Sequence, residues 1–169
     1  IRAIFKGSNS MIDQLLSLED EQADQSLFLI RVATDKNINI SDEIRQYLIA
    51  EAIELSNSGF YNNSSTSSAI ASELSKVGQS DRAKQIFEDA ISLAQKATPD
   101  AIIAHSLLGI AEDLANVGQF DMAITTVGYI TDTSYDCYKA STLSRIASEI
   151  SNAGQSDRAK QIFEDAISL

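Results

Sequence analysis

Apolar residues in the second half of the chain recur at the spacing of one face of an α-helix. Ala83, Phe87, Ala90 and Leu93 follow one another at steps of four, three and three residues, with mostly polar side chains between them. Such steps place side chains along one stripe, because an α-helix turns once in about 3.6 residues. The pattern therefore predicts an amphipathic helix that buries this stripe, including the ring of Phe87.

A second helix precedes this one, and a short bend separates the two. Ile70, Ala71 and Leu74 share one helical face, and Gly78 follows them. Glycine readily takes the left-handed conformation at which many helices end, so we expect Gly78 to end the first helix. We expect Ser80 to cap the second helix, since a serine oxygen can accept a free N–H group there. Two amphipathic helices joined by so short a bend predict an antiparallel hairpin.

This hairpin pattern recurs along the chain. Residues 70–93 read IASELSKVGQSDRAKQIFEDAISL, and residues 146–169 read IASEISNAGQSDRAKQIFEDAISL, with three differences. A weaker copy lies between them, and the aligned glycines are Gly78, Gly118 and Gly154, spaced by 40 and 36 residues. Stacked hairpins bury a continuous core through contacts between neighbours. A closed helical bundle would not explain the recurrence at a fixed offset.

The repeats predict how the chain is organised. We expect a partial helix of a truncated preceding repeat in residues 1–22, around Met11–Leu18. A degenerate repeat should follow in residues 23–61, in which Lys36–Ile40 replaces the glycine bend and Ser41 begins the second helix. Three further repeats are predicted at residues 62–97, 98–133 and 134–169, the last of them truncated at its end. The chain does not begin with methionine, and we interpret it as a fragment of a longer protein.

Composition limits the possible functions. The 169 residues include one proline and seven glycines, fewer than the many turns of an all-β fold require. The net charge is −11 and no basic cluster occurs, which argues against nucleic acid and an anionic membrane surface as partners. A single cysteine, Cys137, excludes an internal disulfide and a cysteine zinc site. We expect a cytoplasmic protein.

The repeated residues resemble the tetratricopeptide repeat (TPR) family. That family has a small residue midway along the first helix, a glycine at its end, and an alanine, a large apolar residue and an alanine on the second helix. The matching residues are Ala71, Gly78, Ala83, Phe87 and Ala90 in one copy, Ala147, Gly154, Ala159, Phe163 and Ala166 in the last, and Ala111, Gly118 and Ala123, followed by Val127 and Ile130, in the middle copy. The repeats here are longer than the usual length of about 34 residues. The resemblance implies an all-α fold, a right-handed superhelical α-solenoid of stacked antiparallel helix hairpins.

The resemblance also implies a function. In this family the first helices line a concave face that often binds a peptide or protein segment, so we expect a non-catalytic protein–protein interaction scaffold. The candidate peptide-binding residues lie on the first helices, off the core stripe: Ser68, Ser72, Lys76, His105, Leu108, Glu112, Asn116, Ser144, Ser148 and Asn152. The alternative is a structural spacer or self-association module of a larger protein, pairing through its repeat ends without a peptide ligand.

The residue types give no sign of catalysis. His105 is the only histidine, and Glu112 lies two turns further along the same helix, too far for direct contact. General acid–base catalysis needs a positioned partner. Cys137 has no adjacent base, and the glycines are isolated rather than gathered in a phosphate-binding loop. We therefore expect no catalytic residue, no metal site and no cofactor, with a protein or peptide as the partner.

Overall fold

The computed structural model describes residues 22–58 and 64–169. Within these two ranges the chain forms eight α-helices and one short 3-10 turn, with no β-strand. The helices are α1 (Gln22–Thr34), α2 (Asp42–Ser58), α3 (Ser64–Lys76), α4 (Ser80–Ala94), α5 (Asp100–Asn116), α6 (Phe120–Gly128), α7 (Asp136–Asn152) and α8 (Ser156–Ile167). Contacts divide the described residues into two compact units, one within residues 1–59 and the other within residues 60–169. The predicted helix at Met11–Leu18 lies outside the described residues.

The described part of the first unit is a hairpin of α1 and α2. Its interior is formed by small and branched apolar side chains, among them Ile30, Ala33, Ile49 and Ala52, all buried. Ser41 precedes α2, as predicted: the backbone N–H of Ile44 donates to Ser41 Oγ at 3.4 Å. A serine at this position offers an acceptor to an N–H group that has no partner within the helix.

Arg45 closes the glycine-free bend of this hairpin. Its guanidinium donates to the carbonyl oxygens of Ala33 at 2.8 Å, Asp35 at 2.9 Å and Ile38 at 2.6 Å. The last carbonyl groups of a helix have no intrahelical partner, and the planar guanidinium fork can reach several acceptors at once. Hydrogen bonds from a side chain of α2 therefore hold this bend, whereas the three later hairpins have a glycine at the bend.

The second unit contains three hairpins that stack in chain order. The pairs α3–α4, α5–α6 and α7–α8 each pack together, and the first helix of each later pair packs on both helices of the pair before it. Such contacts between neighbours are typical of a helical-repeat array. The prediction of an all-α array of stacked helix hairpins is confirmed for this unit.

The three bends of this array have the same backbone geometry. Gly78, Gly118 and Gly154 have φ values of +84°, +79° and +80°. In each case the next residue, a glutamine, donates its N–H to the carbonyl five residues back, at 2.8–3.1 Å. This is the Schellman ending of a helix, which favours glycine because its left-handed residue has no Cβ to clash.

The start of α4 differs from the prediction by one residue. Gln79 occupies the N-cap: its carbonyl accepts the N–H of Ala83 at 3.0 Å, and Ser80 is already helical. The expectation that Ser80 caps this helix was wrong, because the left-handed glycine reverses the chain so quickly that helical geometry resumes two residues later.

The core of α4 follows most of the predicted stripe. Ala83, Phe87 and Ala90 are buried, but Leu93 is 38% exposed and Ala94 is buried instead. At about 100° per residue, position 94 returns to within about 20° of position 83, whereas position 93 lies about 80° away. The assignment of Leu93 to the buried stripe was therefore wrong. Two successive steps of three residues, each short of a full helical turn, move Leu93 to the side of the stripe.

Two other residues of the family pattern lie differently from expectation. Phe163, the counterpart of Phe87, is 37% exposed, because α4 packs on α5 as well as on α3, whereas no described helix takes the place of α5 beside α8. Ile130 is buried but lies beyond the end of α6, a helix of nine residues. The expectation that Ile130 belongs to the second helix of its repeat was wrong.

Candidate interaction surface

The first helices of the second unit form one continuous surface, because side-chain contacts connect each to the next. Ser68 Oγ on α3 donates to Asp113 Oδ2 on α5 at 2.7 Å. Arg145 Nη1 on α7 lies 2.7 Å from Glu112 Oε1 on α5. These contacts bring α3, α5 and α7 side by side.

Ten residues of α5 and α7 face outward at matching positions. They recur at steps of three and four, and each residue of α7 lies 36 positions after its counterpart: Ile102, His105, Gly109, Glu112 and Asn116 on α5, and Tyr138, Ser141, Arg145, Ser148 and Asn152 on α7. Glu112 is half-buried and the other nine are exposed. We call these ten residues the first-helix surface.

Half of the predicted site residues lie on this surface. They are His105, Glu112, Asn116, Ser148 and Asn152. Lys76 is exposed at the corresponding position of α3, where its Nζ lies 2.8 Å from Glu73 Oε1.

Four predicted residues do not lie on this outward face. Ser68, Leu108 and Ser144 share one repeat position, ten residues before the glycine; the first two are buried and the third is half-buried. Ser68 shows why, since its hydroxyl faces Asp113 on the neighbouring helix, and Ser144 Oγ donates to the carbonyl of Ala140. Ser72 is also buried. The expectation that these side chains line an open groove was wrong for the buried three, Ser68, Ser72 and Leu108.

The sequence reasoning missed five members of the first-helix surface. These are Ile102, Gly109, Tyr138, Ser141 and Arg145. Extending the three-and-four steps from His105 in both directions, and adding the offset of 36 residues, would have found all of them.

The apolar part of the surface centres on two rings. The ring centroids of His105 and Tyr138 are 5.9 Å apart, with an interplanar angle of 69°, so the rings meet edge to face. This arrangement is a favourable aromatic contact. Ile102 lies one turn before His105 and is 43% exposed, and Tyr138 is 53% exposed.

The charged part of the surface contains both signs. Arg145 pairs with Glu112, and such exposed ion pairs contribute about 0–1 kcal/mol to stability. Burial raises the pKa of the Asp113 carboxyl above its ordinary value, while the hydrogen bond from Ser68 and the charge of Lys76 act in the opposite direction. Charged residues thus connect the helices without creating a field of one sign.

Within the part of the chain that the structure describes, His105 has no partner for acid–base catalysis. His105 contacts an aromatic ring, and Glu112 is engaged by Arg145. Among the described residues no group of three or more histidine, cysteine, aspartate or glutamate side chains is arranged to hold a metal ion. No helix in residues 22–58 or 64–169 is both long and apolar enough to span a bilayer.

A separate open cleft lies between the second helices α4 and α6. Its volume is about 640 Å³, and its lining includes Lys84, Glu88, Ile91, Asp121 and Tyr129. The charged groups have opposite signs, and no histidine or cysteine lines the cleft. It therefore provides no nucleophile paired with a histidine base.

Residues 68–96, from α3 to just beyond the end of α4, match the family model of the tetratricopeptide repeat. The α3–α4 hairpin is a TPR-type repeat. No curated protein and no solved structure has significant similarity to the chain. TPR-type repeats generally mediate protein–protein interaction and are usually non-catalytic.

Proposed function

We propose that this chain is a non-catalytic interaction scaffold whose first-helix surface binds a peptide segment of a partner protein. In the TPR family the first helices line the face that receives such segments. The observation that carries the proposal is the continuous row of outward-facing residues on α5 and α7. This row combines exposed apolar side chains, open space above a glycine and exposed amide groups.

The exposed apolar side chains supply the anchoring part of the proposed site. Ile102 and Tyr138 occupy the same repeat position on adjacent helices and are about half exposed. Large apolar and aromatic side chains that become covered on binding contribute most of the energy of many interfaces. A peptide with one apolar side chain would gain contact with both residues and with the ring of His105.

Gly109 supplies space for a peptide backbone in the middle of the surface. A Cβ atom added at this position would meet nothing within 4 Å, so packing inside the protein does not require glycine here. Glycine inside a helix is less stable than alanine by about 1 kcal/mol. A role in which a bound chain approaches the α5 backbone closely would explain this choice.

Asn116 and Asn152 supply hydrogen-bonding groups beyond the glycine. They occupy equivalent positions near the ends of α5 and α7, and both are exposed. A carboxamide can donate to a carbonyl and accept from an N–H, so it can bind the backbone of a peptide of almost any sequence. The proposed ligand therefore extends from the Ile102–Tyr138 anchor, past Gly109, to these two amides.

The proposal can be tested by selecting peptides from a random display library on the full chain and measuring their Kd. Gly109→Gln fills the open space with a better helix former, so we expect the fold to keep its stability while peptide binding is lost. Gly128→Gln is the matched control, because Gly128 on α6 is also exposed and also has nothing within 4 Å of an added Cβ. Tyr138→Ala should weaken binding by about tenfold or more.

The pattern of losses decides between the surfaces. Binding that falls for Gly109→Gln and Tyr138→Ala but not for Gly128→Gln supports the first-helix surface. Selected peptides that bind all three variants as tightly as the unchanged chain would contradict it, as would a selection that yields no specific peptide.

A further inference from the structure

One position on the first helices is acidic in all three hairpins of the second unit. Glu73, Asp113 and Glu149 each lie five residues before the glycine of their bend, and each is half-buried. Glu73 has a cation beside it, since its Oε1 lies 2.8 Å from Lys76 Nζ. Asp113 accepts a hydrogen bond from Ser68 but forms no ion pair with a lysine or arginine among the described residues. Removing a carboxylate from water without pairing its charge is unfavourable, so a cation from outside the chain would be favourable at Asp113.

The serine hydroxyls beside Asp113 are oriented differently from their counterparts on α7. Ser144 Oγ and Ser148 Oγ donate to carbonyl oxygens four residues back on their own helix, at 2.8 Å and 3.0 Å, as serines within helices commonly do. On α3, Ser68 Oγ donates instead to Asp113 at 2.7 Å, and the buried Ser72 Oγ has no hydrogen-bond partner among the described residues. Because Ser72 lies one turn after Ser68 on the same side of α3, both hydroxyls belong to the cluster around the Asp113 carboxyl.

Lys76, one turn after Ser72, offsets the charge of Asp113 only in part. Its positive charge and the hydrogen bond from Ser68 lower the pKa of Asp113, but burial raises that pKa by more. The Nζ atom of Lys76 is engaged by Glu73 on its own helix. The carboxyl of Asp113 is therefore left able to accept a second cation.

Asp113 lies at the edge of the first-helix surface, beside the path of the proposed peptide. It follows Gly109 by four residues, which places it about 40° around α5 and about 6 Å further along the helix axis. The hydrogen bond from Ser68 shows that its carboxyl is on the side of α5 that faces α3. A long side chain extending from a peptide backbone above Gly109 can therefore reach this carboxyl.

We propose that Asp113 is a specificity-determining residue of the first-helix surface and binds a lysine side chain of the peptide, an inference that rests on the function proposed above. An ammonium group has three N–H donors. One of them can form a charge-assisted hydrogen bond with Asp113, and a second can donate to Ser72 Oγ after the hydroxyl rotates. Ser68 is a positioning residue, because its hydrogen bond holds the carboxylate. Arginine fits less well, since its planar fork pairs with both carboxylate oxygens and Oδ2 already accepts from Ser68.

The position of Asp113 also predicts the spacing of the ligand residues. Asp113 follows Ile102 by 11 residues, which corresponds to about 16 Å along α5. An extended peptide advances about 3.3 Å per residue. About five residues should therefore separate the lysine of the ligand from the apolar side chain that contacts Ile102 and Tyr138.

Selection from a random peptide library, carried out separately on the unchanged chain and on Asp113→Asn, tests this proposal. A lysine at the predicted spacing should be enriched on the unchanged chain and absent from the peptides selected on Asp113→Asn. In a selected peptide, replacing the lysine by norleucine removes the charge and keeps an apolar side chain of similar length. This replacement should raise the Kd by about tenfold or more on the unchanged chain and leave the Kd unchanged on Asp113→Asn. A purely structural role of Asp113 would weaken both peptides equally.

Glu149→Gln is the matched control. Glu149 is half-buried at the same position of α7, but the residue of α5 that corresponds to Ser68 is Leu108, which has no hydroxyl. This variant should therefore bind the lysine peptide as tightly as the unchanged chain does.

Three results would overturn the proposal while leaving the proposed function intact. The first is a set of selected peptides that Gly109→Gln fails to bind but that contain no lysine. The second is an effect of norleucine that is equally large on Asp113→Asn, and the third is an equally large loss of binding with Glu149→Gln, which would assign the preference to general acidity. A selection that yields no peptide would contradict the proposed function and this inference with it, so the two kinds of failure can be distinguished.

Discussion

Replacing Phe87 and Phe163 by alanine, one at a time, measures how much a neighbouring repeat contributes to an otherwise identical helix. Both phenylalanines lie in the sequence SDRAKQIFEDAISL, so helix propensity, capping and unfolded-state effects are matched. The two sites differ in burial, which is complete at Phe87 and partial at Phe163.

The exposed fractions set the expected magnitudes. Truncating a fully buried phenylalanine removes its transfer free energy and leaves a cavity, at a cost of about 3–5 kcal/mol, and we expect this for Phe87→Ala. At Phe163, 37% of the residue is already exposed, and the site opens to solvent, so no closed cavity forms. About two thirds of the transfer free energy of a phenylalanine is about 1–2 kcal/mol, which is the loss expected for Phe163→Ala.

Urea unfolding followed by circular dichroism gives the free energy of unfolding of each variant, and amide hydrogen exchange locates the loss. Exchange is needed because a repeat array can open from one end before it unfolds completely. We expect Phe87→Ala to lower protection in α3, α4 and α5, and Phe163→Ala to affect only α7 and α8. Equal losses at the two sites, or a larger loss at Phe163, would refute the assignment of the difference to α5.

Two further predictions concern polar groups. Arg45→Ala removes three hydrogen bonds to carbonyl groups of the bend. Hydrogen exchange should therefore show the α1–α2 hairpin destabilised by about 1–3 kcal/mol. Lys36→Ala is the control, because Lys36 is an exposed residue of the same bend and its loss should have little effect. Burial raises the pKa of the Asp113 carboxyl above its ordinary value of 3.8. The folded state therefore holds the carboxyl proton more tightly than the unfolded state does. As the pH rises from 3.8 through the folded pKa, the contribution of this carboxyl to stability falls. Asp113→Asn should abolish this part of the pH dependence in urea unfolding and leave stability at neutral pH unchanged or higher; a variant with the unchanged pH profile would contradict the assignment.

The helical hairpins and their bends could be predicted because the forces that specify them are local. The 3.6-residue period determines which side of each helix is apolar. In three repeats, a glycine at positive φ ends the first helix. The bend closed by Arg45 could not be predicted in this way. Its hydrogen bonds run from α2 to residues 7–12 positions earlier, and no spacing rule for single helices includes them.

The candidate surface could be predicted only in part, because polar side chains also pack between helices. Ser68 lies off the predicted core stripe and was expected to line the open face, but it is fully buried and its hydroxyl donates to Asp113 on the neighbouring helix. Conversely, Ile102 and Tyr138 are large and apolar yet exposed. A shift of one position rotates the expected face by about 100°, so the orientation of adjacent first helices must be known before the face can be assigned.

The first-helix surface is held firmly by the array. Helices α5 and α7 each pack on both helices of the preceding hairpin and on the second helix of their own, so the row of residues they present is supported from several sides. A surface that does not have to become ordered on binding keeps more of its interaction energy as affinity. Helix α8 packs mainly on α7, and Arg158 at its start contacts Asp121 and the ring of Phe120 on α6. Helices with fewer contacts open at lower free energy. A peptide on the first-helix surface should therefore protect α5 and α7 together and leave α8 unchanged, a difference that amide hydrogen exchange can measure within one chain.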